Sequence, residues 1–139
     1  MRYQQFGDTY FVRLETGSDI PTAILAFAAD QRIDVGTVAG IGAGYDWVLG
    51  YFDRTTGEYA RQSFAGEREI LALNGNLAIK EGRPFAHLHV ILGGPDFYTV
   101  GGHLFEGKVG ATCELAIRKL PGYQLRTVDE ATGLYLLDL

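Results

Sequence analysis

Only one stretch of this chain carries helical spacing; almost everything else alternates apolar and polar residues between glycine-containing breaks. That pattern leaves little room for a bundle or a doubly wound sheet. In the helical stretch, Ile20, Ile24, Phe27 and Ala28 fall on one face. Ser18-Asp19 offers a cap and Pro21 sits in the first turn, where its missing N–H costs nothing. A helix is therefore expected from about Ile20 to Gln31. Before it, Met1–Phe6 and Tyr10–Leu14 read as two short strands around Gly7-Asp8. After it come expected strands at Gly36–Ile41, Tyr45–Asp53, Tyr59–Phe64, Arg68–Ile79, Phe85–Leu92, Thr99–Phe105, Thr112–Lys119, Tyr123–Thr127 and Leu134–Leu137. Nineteen of 139 residues are glycine, about twice the usual share, and they come without a collagen repeat. Turns between short strands use glycine in this way. The expectation is one α+β domain over residues 1–139, with a mostly antiparallel sheet and one main helix.

Charge and apolar content narrow the classes of function. Twelve basic residues against seventeen acidic ones give −5, and no basic run exceeds Arg118-Lys119. Gripping a nucleic-acid backbone takes a dense cationic face, which the sequence does not advertise. The single Cys113 forbids an internal disulfide and fits a reducing compartment. The first six residues lack the apolar core of a signal peptide, and the run Ala23–Ala29 is too short to span a bilayer. A soluble cytoplasmic protein without membrane partners is expected.

The chemistry concentrates at one place. All three histidines, His87, His89 and His103, lie within seventeen residues. In a strand, i and i+2 side chains share a face about 6.6 Å apart. His87 and His89 then project together beside Phe85 and Ile91, while Ala86, Leu88, Val90 and Leu92 take the other face. Gly101-Gly102 lets backbone turn or approach closely just before His103. If Val100–Phe105 pairs with the His-x-His strand, His103 supplies a third nitrogen. Three histidines with a vacant fourth position fit an open divalent-metal site, zinc above all. Such an ion would acidify a water or polarise a carbonyl. The alternative is ordinary polar residues on a strand face.

Other features read more plainly. Glu114 or Glu69 could serve as fourth ligand or general base, or be a solvated carboxylate. Cys113, on the opposite face from Glu114, reads as buried filler. Gly40-Ile41-Gly42-Ala43-Gly44 looks like a nucleotide loop, yet a dinucleotide fingerprint needs a helix next, and Tyr45–Phe52 is β. A bend or bulge between strands is expected there. Gly82-Arg83-Pro84 is the middle of a minor-groove hook, but Glu81 and Phe85 flank it where the hook needs basic residues. A turn entering a strand is the better reading.

Several stretches together resemble one family. They are Arg68–Asn76, Pro84–Val90, Gly101-Gly102-His103-Leu104 and Glu114–Ile117, with Val38–Ala43 upstream. They resemble the PPC domain, the plant and prokaryote conserved domain, over nearly the whole chain. The resemblance implies a compact α+β fold with an antiparallel sheet and a helix, assembled as a homotrimer. In plants the domain follows AT-hooks, which bind DNA, while the PPC part assembles and recruits partners. Stand-alone prokaryotic members are often called candidate DNA-binding proteins. This chain has no AT-hook, so the resemblance carries fold and trimer better than DNA binding. The positions carried over are His87, His89 and His103, with Arg68-Glu69 and Gly101-Gly102 around them. The fold is also similar to that of zinc-dependent acetolactate decarboxylase, which uses a His-x-His and a later His. Its other catalytic groups have no match here.

Three functions follow as expectations. The first is a homotrimeric binding or regulatory module with a three-histidine zinc site. The second is DNA binding by the trimer. The third is a small metal-dependent lyase or hydrolase, with a pocket at the open position and a carboxylate or Arg68 pointing in. Trp47, Tyr51, Phe97 and Tyr98 could line the trimer interface or pack in the core.

Overall fold

The computed structural model describes residues 1–139 and contains one helix and nine strands. Strands β1 (Arg2–Phe6) and β2 (Thr9–Arg13) form a hairpin through Gly7-Asp8. Helix α1 spans Ile20–Asp30. Its Asp19 carboxylate accepts from the Thr22 backbone N–H at 3.0 Å, and Pro21 opens the first turn. It buries Ile20, Ile24, Phe27 and Ala28, the face that the spacing predicted. Then come β3 (Gly36–Asp53), β4 (Glu58–Phe64), β5 (Arg68–Lys80), β6 (Arg83–Gly93) and β7 (Thr99–Lys119). A small hairpin of β8 (Arg126–Val128) and β9 (Tyr135–Leu137) closes the chain.

Every ladder is antiparallel, so the α+β expectation holds. The expected strand Tyr123–Thr127 is shifted to β8 at Arg126–Val128, and the segmentation of the long strands differs in two places. Gly36–Ile41 and Tyr45–Asp53 are one strand of 18 residues, and Thr99–Phe105 and Thr112–Lys119 are one strand of 21. Both run on because bulges bend a strand without ending it. The first half of β3 pairs with β5 and with the second half of β7. Its second half pairs with β4 and with the first half of β7. Since β5 also pairs β6 and β6 pairs β7, the circuit β3–β5–β6–β7–β3 closes on itself. The Gly40–Gly44 stretch is such a bulged region, with shifted register against β5 and β7. A Cβ on Gly42 would lie 2.1 Å from the Thr112 carbonyl oxygen, so only glycine permits the approach of β3 to β7 there.

The core lies inside this circuit and under α1. Leu73 and Leu77 of β5, Leu88, Val90 and Leu92 of β6, and Leu115 and Ile117 of β7 are almost fully buried, as is Trp47. Trp47 is thereby a core residue and not part of an exposed surface. Tyr51, Phe97 and Tyr98 stay exposed. No helix is long and apolar enough to cross a membrane.

Candidate metal centre

Strand alternation builds the site. Along β6, Leu88 and Val90 point into the core, which turns His87 and His89 outward together. On β7, His103 faces outward beside buried Leu104 and lies directly opposite His89 in the ladder. Gly101-Gly102 does not turn the chain, since β7 runs straight through. It allows close contact instead: a Cβ on Gly102 would stand 2.7 Å from the Gly50 carbonyl oxygen of β3. The third imidazole is thus set by a three-strand junction.

The three rings converge. Their centroids are 5.0, 5.2 and 5.4 Å apart. One ring nitrogen from each lies within 4.8 Å of the others, and His87 Nε2 is 3.1 Å from His89 Nε2. Tetrahedral zinc at its usual Zn–N length places ligand nitrogens about 3.3 Å apart. The spacing fits a small divalent ion after minor rotations of the rings. Electrostatics fits too. Burial, and then the charges of His87, His89 and Arg61, push the His103 pKa down to about 4. Burial, and then the charges of His89 and Arg126, also lower that of His87. Both rings are neutral near pH 7, with lone pairs free for a cation. His103 Nδ1 is buried without a hydrogen-bond partner, which a ligand to that ring would remedy. This group could hold a metal ion.

Aromatic rings frame the site. Phe105 lies 4.7 Å and Tyr59 5.0 Å from the His103 ring, centre to centre, and the Arg61 guanidinium sits 3.7 Å over Phe105. Asn76 is the ladder partner of His87, and its Oδ1 accepts from Arg126 at 2.6 Å. A cavity of about 360 Å³ opens beside His87 and His103. Among these neighbours, only Phe105 was within reach of alternation, being two residues beyond His103. Tyr59, Asn76 and Arg126 arrive through long-range pairing that no local pattern announces.

The remaining expected site residues lie elsewhere. Arg68 pairs with Gly44 and stacks toward Phe64. It is six positions along β5 from Asn74, the partner of His89, a distance of roughly 20 Å. Glu69 is exposed opposite Gly93. Glu114 is exposed, accepts from the Thr112 hydroxyl at 3.2 Å, and has β3 and β5 between it and β6. Neither carboxylate reaches the imidazoles, so the fourth position faces no acidic side chain of that pair. Cys113 is buried, with its thiol pushed up to about 12 by burial first and Glu114 second.

Solved structures share the fold over nearly the whole chain. A metal-containing protein of Archaeoglobus fulgidus is 35% identical, with 99% of this chain and 98% of that one covered and a TM-score of 0.89. A plant- and prokaryote-conserved (PPC) protein of Pyrococcus horikoshii is 32% identical, covering 99% and 95%, with a TM-score of 0.90. A candidate DNA-binding protein of Bacteroides thetaiotaomicron is 28% identical, covering 99% and 96%, with a TM-score of 0.95. No curated protein matches the chain. The Plants and Prokaryotes Conserved (PCC) domain matches residues 1–121, and by that match, with the histidine-bearing antiparallel fold just described, the chain belongs to the PCC domain family.

Proposed function

We propose that the chain is a PCC-domain module of the cytoplasm, one domain over residues 1–139. In this reading it acts as a homotrimer and holds one zinc ion between His87, His89 and His103. One observation carries the metal: three ring nitrogens within 4.8 Å of one another on two hydrogen-bonded strands. The similar metal-containing protein of Archaeoglobus fulgidus supports it. Three protein ligands leave an open position, and the ion supplies Lewis acidity to whatever fills it. His103, framed by Phe105 and Tyr59, is held as a neutral donor, and Gly101 and Gly102 keep its strand in place. The lone buried thiol fits a reducing compartment.

Metal analysis of protein purified without chelator tests the centre. About one zinc per chain is expected, lost in His89→Ala and His103→Ala. Zinc binding that survives in the triple alanine variant would remove these histidines from the role.

A second reading is kept alive by the similar proteins of Bacteroides thetaiotaomicron and Ralstonia eutropha, both candidate DNA-binding proteins. DNA binding by the trimer predicts affinity that falls steeply with salt. The net charge of −5 weighs against it, and absence of a low-salt shift with duplex DNA would end it. A metal-dependent lyase or hydrolase draws support from the cavity beside His87 and His103. That reading no longer includes Arg68 or Glu114 as pocket groups.

A further inference from the structure

Arg126 is an uncommon residue in this chain: a cation only 6% exposed with no acidic partner. Its Nη1 donates to the Tyr135 carbonyl at 2.7 Å and its Nη2 to Asn76 Oδ1 at 2.6 Å. Its Nε is buried with no partner at all. A buried charge is costly unless a counter-charge meets it. The same cavity of about 360 Å³ that touches His87 and His103 is lined by Arg126. It is also lined by Lys80, whose Nζ lies 3.7 Å over the Tyr135 ring and 5.6 Å from that of Phe85. The carboxylate of neighbouring Glu81 accepts from the Tyr135 hydroxyl and pairs with neither cation. Two cations without counter-charges therefore face a cavity whose remaining walls are chiefly aromatic and aliphatic.

We propose that this cavity binds a small carboxylate with an apolar body, its anionic end held by Arg126 and Lys80 and its body against Phe85 and Tyr135, beside His87 and His103. A guanidinium edge matches a planar carboxylate, and aromatic walls suit a short hydrocarbon or ring. Inorganic phosphate has no apolar body to place against Phe85 and Tyr135, so it should bind more weakly than the carboxylates. Arg126 belongs to β8 and Tyr135 to β9, so the terminal hairpin forms one wall of the cavity. Only the placement of the ligand next to a metal ion rests on the metal-centre reading; the anion site stands on Arg126, Lys80 and the cavity.

Calorimetric titration of the full chain with acetate, butyrate, benzoate and phenylacetate tests the site, with benzamide and inorganic phosphate as controls. At least one carboxylate should bind, and its Kd should rise about tenfold or more in Arg126→Gln. Lys80→Gln should weaken it by roughly threefold or more. Should Arg126→Gln fail to fold by circular dichroism, Lys80→Gln decides. Binding of none of the four overturns the proposal. So do benzamide binding as tightly as benzoate, phosphate binding more tightly than every carboxylate, or an affinity unmoved in the folded variants. His89 does not line the cavity, so His89→Ala separates the two readings. That variant should lose zinc and keep its carboxylate affinity, whereas a parent chain that binds carboxylate but takes up no zinc leaves the anion site standing and sinks the metal centre. Zinc uptake without carboxylate binding does the reverse.

Discussion

At the residue scale, the histidines make a pH prediction. A free histidine titrates near 6.5, whereas burial holds His103 down to about 4 in the fold and lowers His87 as well. Below pH 6.5 the unfolded chain takes up protons that the metal-free fold refuses. The stability contributed by keeping these rings neutral is present above pH 6.5 and is lost as pH falls toward 4. The melting temperature of metal-free protein should fall over that window, and the fall should be shallower in His103→Gln; equal slopes would contradict it. Cys113 gives a second prediction. A thiol raised to about 12 by burial is almost never a thiolate, so native protein should resist thiol reagents and react only on unfolding. Fast labelling of folded protein would show that the strand opens. Alternation sufficed to read which way His87, His89 and Cys113 point. It did not reveal Arg126, because Arg126 reaches Asn76 across fifty residues of sequence.

At the scale of elements, α1 was legible nearly to its ends because capping and spacing are local. The long strands were not. Their continuity depends on partners that change midway, so glycines that look like interruptions are points of close contact. Arg68 shows the same limit from the other side: a motif position on β5 gives no hint of which ladder rung it occupies, and Arg68 lies far from Asn74 along the strand. Two substitutions probe these elements. Asp19→Ala removes the cap acceptor of α1 and should cost about 1 kcal/mol, which lowers the melting temperature by about 3 °C in a chain of this size. An unchanged melting curve would mean that the helix is held by packing alone. Gly42→Ala drives a Cβ against the Thr112 carbonyl and should destabilise by about 2 kcal/mol, read from the denaturant midpoint. A neutral result would mean that β3 can move off β7.

At the scale of the molecule, the outer side of the closed sheet carries several large apolar side chains. Phe11 of β2 is 58% exposed, Ile41 of β3 60%, Leu71 of β5 51% and Ile91 of β6 49%. The first three line one groove with Ala39, Ala72 and Ala116. Contiguous exposed apolar residues of this kind mark interaction surfaces. The ladder rung that carries Phe11 continues through Ala116, Ala39 and Asn74 to His89, so a partner seated on this face would approach the open side of the histidine cluster. For the proposed trimer, light scattering should return three times the subunit mass. Ile41→Asp with Leu71→Glu should bring that to one subunit while circular dichroism stays unchanged, since neither side chain belongs to the core. The same double variant should bind zinc no more tightly than the parent, because all three ligands come from one chain and assembly can only add shielding from water. A monomeric parent, or a double variant that keeps the parent's mass, would free this groove of any role in self-assembly.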